Sequence, residues 1–126
     1  MSDYRTPLSR VKGLGSAKDG TSHFWHQRLT AIALIPLVLW FGFGLASLPT
    51  DYDSLTGYIQ QPAIAVALIL LIASVFYHAQ LGIQIILEDY VSSHAKRTLM
   101  IIAVSFTCLI CALIGIVAVI KILVGA

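Results

Sequence analysis

The chain has 126 residues, 58% of them apolar and only 11% charged, against the quarter or so of charged residues usual in soluble domains. Eight Lys and Arg against six Asp and Glu leave a net charge of +2, too small for a nucleic-acid partner. An ordinary soluble domain is excluded; the remaining environment is membrane lipid.

Residues 1–28 are mostly polar and read as a cytoplasmic N-terminal segment. They do not resemble a cleaved secretory signal, whose apolar core is shorter and starts earlier. The first span is Leu29–Leu48, 20 residues without a charge, or about 30 Å of helix. Pro36 in its interior removes one backbone donor and is expected to bend it. The second span, Ala63–Leu87, follows Pro62, which costs little at a helix start, and stops at Glu88 and Asp89. The third runs from Thr98 to about Ile120, where Lys121 can snorkel to the interface. The expected fold is an all-α integral membrane protein with three transmembrane helices, up-down-up. Residues 29–126 form its anchor domain, with spans of about 29–48, 63–87 and 98–120.

Basic residues set the orientation. Arg5, Arg10, Lys12, Lys18 and Arg28 precede the first span, the first loop carries only Asp51 and Asp53, and the second adds Lys96 and Arg97. The positive-inside rule places the N-terminus and second loop in the cytoplasm. Tyr52 and Tyr58 outside, with Trp25 and Tyr90 inside, suit the two aromatic belts. Arg28 and Trp25, within HFWHQR, read equally well as plain interfacial anchors. Cys108 and Cys111 share their stretch with no other Cys or His and read as buried thiols rather than a disulfide or zinc site.

His78 is the only His, Lys, Arg, Asp or Glu within the second span. It lies nine residues in from Leu87, or about 13 Å, near the midplane. An imidazole so deep needs a partner, and intramembrane ionisable groups are usually functional. Ser74 and Gly82, four residues to either side, share its face and leave it narrow, with room for a neighbouring helix or a flat cofactor. Two readings stand: a hydrogen bond across a helix interface, or an axial ligand to haem. In the second, Nδ1 is expected on the Ser74 carbonyl and Nε2 on the iron. No other His lies in a span, so the second axial ligand would come from another chain.

Asp89 and Tyr90 follow in LEDYVSSHAKR. Eleven residues separate Asp89 from His78, about 20° in helical phase and about 16 Å along the axis. A tyrosine hydroxyl at this depth can donate to a quinone oxygen while the quinone tail stays in lipid. Alternatively, Glu88 and Asp89 only end the helix and pair with Lys96 or Arg97.

HFWHQRLTA entering the first span, YHAQLGIQIILEDY along the second, and the three spans in this order resemble a known family. It is the hydrophobic membrane anchors of succinate dehydrogenase (succinate:quinone oxidoreductase), of the bacterial and mitochondrial-like type with two anchor chains. The resemblance covers nearly the whole chain and implies a bacterial inner-membrane, multi-pass location. It implies partners: a flavoprotein subunit that oxidises succinate, an iron–sulfur subunit, and a second anchor subunit. It implies haem b shared with that second anchor, and ubiquinone as substrate. It assigns His78 as the haem iron ligand, Arg28 to the haem propionates and quinone pocket, Tyr90 to the quinone, and Asp89 to its support. His23 and His26 receive no role. Succinate chemistry is not expected of this chain, which has no flavin fingerprint or iron–sulfur cysteines. Rival readings are the anchor of a related quinol:fumarate reductase and a non-redox structural membrane subunit.

Overall fold

In a bilayer, backbone N–H and C=O groups find partners only within the chain, so long apolar runs fold as helices. The computed structural model describes residues 6–11, 20–48 and 51–125. Among them are α1 (Pro7–Val11), α2 (Gly20–Ser47), α3 (Tyr52–Ile59), α4 (Pro62–Tyr90) and α5 (His94–Leu123). The all-α class holds, and α2, α4 and α5 are long and apolar enough to cross a membrane. They contain 28, 29 and 30 residues. At 1.5 Å per residue each is about 42–45 Å long, the hydrocarbon core plus both headgroup layers.

The helices therefore overrun the apolar stretches. α2 starts at Gly20, so His23–Arg28 form its first turns. α4 starts at Pro62 itself and continues through Glu88 and Asp89 to Tyr90. α5 takes in Lys96 and Arg97, leaving only Val91–Ser93 between it and α4. Polar residues at a helix end meet headgroups and water, so a loss of hydropathy does not end the helix. α2 also continues through Pro36.

The connection after α2, read from sequence as a loop, contains α3. Asp51 caps it, its carboxylate accepting from the Ser54 N–H at 2.9 Å. Hydrogen bonds from the Ser54 backbone and side chain hold the Asp51 carboxyl below the ordinary carboxylate range.

Among the described residues, α2 and α5 each pack on α4 and not on each other. Four of the five buried apolar residues, Ala65, Leu71, Leu81 and Leu87, belong to this central helix; the fifth is Val119 of α5. Small residues permit the approach of α5. A Cβ added at Gly115 would stand 3.3 Å from two atoms of Ile72. Gln80 donates to Ser105 Oγ at 3.2 Å across the same interface. Contacts between the two helices run in opposite directions, Ile72 against Gly115 and Gln80 against Ser105.

The cysteines depart from expectation. Cys111 is exposed and Cys108 half-buried, and both are free. The reason is the single-layer packing: much of α5 has no helix beside it, so its apolar side chains meet lipid or another subunit rather than a core of this chain.

Candidate functional site

α2 and α4 meet through a polar cluster within the apolar bundle. Thr30 follows Arg28 by two residues on α2, and its hydroxyl donates to the carbonyls of His26 (2.8 Å) and Gln27 (3.0 Å) one turn back. The same oxygen lies 2.9 Å from Nδ1 of His78. His78 thus spans the helix interface, and its Nδ1 partner is Thr30, not the Ser74 carbonyl expected from sequence. The backbone of α4 explains the difference: in a regular helix the Ser74 carbonyl already accepts the His78 N–H, while the imidazole turns outward to the facing hydroxyl. Nε2 makes no hydrogen bond among the described residues.

Further groups on α2 lie along the same interface. A Cβ at Gly82 would meet Gln27 Nε2 at 3.6 Å, ordinary contact, so the bare glycine gives the Gln27 amide space against α4. His23, Gln27 and Thr30 are four and three residues apart and share one face of α2. His23 Nε2 and Gln27 Oε1 are buried without a hydrogen-bond partner among the described residues. Such atoms are costly in low dielectric. The His26 ring meets Tyr77 edge-on, with centroids 6.0 Å apart.

Arg28 is not brought against His78. It lies about 200° from Thr30 around α2, is exposed, and sits over the Phe24 ring with 4.9 Å between Cζ and the centroid. Asp89 and Tyr90 are exposed at the end of α4, Tyr90 by 86%. The helix is unbroken from His78 to Tyr90, so the shared face inferred from spacing stands. Among the described residues neither acid at this end pairs with Lys96 or Arg97; Glu88 accepts instead from Gln84 Nε2 at 2.9 Å.

Two features escaped the sequence reading. Thr30 carried a visible signal, being one of two hydroxyls in an otherwise apolar span, the other being Ser47. Its meaning depends on the interhelical register, which spacing within one helix does not reveal. On the other flank of α4, Gln80 donates to Gln84 Oε1 at 3.2 Å as well as to Ser105. With the bond to Glu88, this row satisfies itself. It borders a cleft of about 410 Å³ between α4 and α5, lined by Phe76, Tyr77, Gln80, Ser105 and Cys108 among others.

Fold and site together define a multi-pass membrane protein with one imidazole fixed between two spanning helices. The chain belongs to the succinate dehydrogenase/fumarate reductase transmembrane subunit family, which it matches over residues 2–112. A relative named succinate dehydrogenase hydrophobic membrane anchor subunit, from Rickettsia bellii, is 37% identical over 103 residues, covering 81% of this chain and 82% of the relative. Proteins of the same name from Rickettsia conorii and Paracoccus denitrificans are 33% and 30% identical, covering 86% and 82% of this chain and 87% and 81% of theirs. With bacterial relatives and three apolar helices of spanning length, the chain is a multi-pass protein of the bacterial inner membrane.

Proposed function

We propose that this chain is an anchor subunit of succinate dehydrogenase that co-ligates haem b through His78 and helps form the ubiquinone-reduction site at Tyr90 and Asp89. The observation that carries the reading is the state of His78. It lies at membrane depth, tethered through Nδ1 to Thr30, with Nε2 unengaged among the described residues. The surroundings are partly polar: the Gln27 amide fills the space beside Gly82, and Gln27 Oε1 and His23 Nε2 on the facing helix have no partner among the described residues. Haem b, when bound, supplies a one-electron carrier inside the bilayer.

This chain's residues would divide the work. His78 would hold the haem iron through Nε2, and a second anchor subunit would offer the other ligand. Arg28, held at the start of the apolar span by its contact with Phe24, is the basic group offered to propionates or to the quinone. Tyr90 presents its hydroxyl to a quinone oxygen at the interface, with Asp89 tuning the charge around it. Electrons arrive from succinate through the flavoprotein and iron–sulfur subunits. In this reading the spans run up-down-up with a cytoplasmic N-terminus, the orientation favoured by the basic residues before α2 and at the start of α5. The succinate-oxidising direction follows the names of the relatives.

The test is His78→Ala in the purified four-subunit complex. The expected result is loss or severe disturbance of the haem b absorption, with succinate oxidation by a water-soluble acceptor retained. An unchanged bis-imidazole spectrum would refute the assignment.

A further inference from the structure

We infer that Thr30 is a positioning residue that selects the tautomer of His78, placing the ring proton on Nδ1 and leaving Nε2 as the bare nitrogen that meets iron. The inference rests on the haem reading above and adds a second residue of this chain to it.

Counting protons decides between the tautomers. A threonine hydroxyl has one proton and two lone pairs. Two carbonyls of its own helix, at 2.8 and 3.0 Å, compete for that proton, as is usual for hydroxyls within helices. A lone pair is then what the oxygen turns toward His78 Nδ1, 2.9 Å away. A ring nitrogen facing a lone pair at that distance must carry a hydrogen. Neutral imidazole has one such hydrogen, so Nε2 has none.

The opposite tautomer fails the same count. If the hydroxyl donated to Nδ1, it would abandon both carbonyls. Nε2 would become a donor with no acceptor among the described residues, in a medium where an unsatisfied donor is expensive. Nor can an N–H nitrogen bind iron without first losing its proton. The hydroxyl is held by a β-branched side chain with restricted χ1, on a helix that packs along α4. The tautomer is therefore set by helix packing, before any cofactor arrives. A hydrogen bond donated by Nδ1–H also makes Nε2 more basic and fixes the ring plane.

The test uses the purified four-subunit complex carrying Thr30→Val, an isosteric change that removes the hydroxyl, and Thr30→Ser, which keeps it. The readouts are haem-to-flavin ratio during detergent washing, low-spin EPR g-values and haem midpoint potential. Thr30→Val should weaken haem retention about tenfold to a hundredfold. It should also shift the g-values and raise the midpoint potential, since a less basic nitrogen stabilises the oxidised iron less. Thr30→Ser should restore all three. A merely structural hydroxyl would not give a midpoint shift reversed by serine.

Wild-type haem retention, g-values and potential in Thr30→Val would overturn the inference, as would a serine variant that behaves like the valine one. If Thr30→Val does not assemble, ENDOR of the wild-type complex decides. An exchangeable Nδ1 proton hydrogen-bonded to oxygen supports the inference, and its absence overturns it. His78→Ala separates the two levels: an unchanged haem there sinks the ligand reading, while haem lost there but untouched in Thr30→Val sinks only the role of Thr30.

Discussion

Tyr90→Phe isolates the proposed quinone contact, because the structure gives the hydroxyl nothing else to do. Tyr90 is the last residue of α4, is 86% exposed, and makes no hydrogen bond among the described residues. The helix end is closed without it, by the Val91 N–H on the Leu87 carbonyl at 3.1 Å. Removing the oxygen should therefore leave folding within about 0.5 kcal/mol of wild type. A hydrogen bond to an oxygen gaining negative charge contributes about 1.5–3 kcal/mol. If that bond forms mainly as the quinone is reduced, its loss slows the reaction roughly tenfold to a hundredfold. Assembly, the haem spectrum and succinate oxidation with a soluble dye should remain near normal. Asp89→Asn, which alters the surroundings of the hydroxyl rather than the hydroxyl itself, should lose less. The assay is quinone reductase activity per flavin at limiting quinone. Wild-type rates in Tyr90→Phe would show that the ring is only an interfacial anchor, which phenylalanine supplies equally well.

Two further predictions concern the scaffold. Gly115→Leu should destabilise the α4–α5 pair by about 1–3 kcal/mol through overpacking, because even a Cβ at Gly115 would already stand 3.3 Å from Ile72; thermal inactivation of the purified complex checks this, and an unchanged profile would mean that α5 can move away freely. Cysteines placed at Asp53 and Ser92 should react with an impermeant maleimide from the periplasmic and cytoplasmic sides respectively, and the reverse pattern would invert the topology.

What could be read from the sequence follows from what each signal depends on. The three spans were legible because the bilayer makes about twenty uncharged residues a near-sufficient condition for a helix. Their ends were not, because hydropathy reports depth rather than hydrogen bonding; Lys96 and Arg97 look like a loop and lie in the first turns of α5. α3 was hidden for the same reason, since its Asp51 cap sits in a polar stretch. His78 announced itself by cost: an isolated imidazole in an apolar span demands an explanation. Its partner Thr30 did not, because α2–α4 register is set by packing that no periodicity within α2 encodes.

The two flanks of α4 differ in a way that locates function. Gln80 follows His78 by two residues, about 200° around the helix, so one residue faces α5 and the other α2. Toward α5, polar groups complete one another: Gln80 reaches Ser105 and Gln84, and Gln84 reaches Glu88. Bonds of this kind in membranes contribute about 0.6 kcal/mol each and serve mainly to hold helices together. Toward α2, the accounting stays open. Among the described residues His23 Nε2 and Gln27 Oε1 are buried without partners, and His78 Nε2 is unengaged. Each such atom costs free energy that this chain's own packing does not return. Stability alone would favour apolar residues at these positions. Of these groups His78 Nε2 is the one the proposed haem reading employs; the two α2 atoms are covered by this chain itself. The proposed haem reading thus draws on the α2–α4 side, while α5 packs against the opposite flank of α4.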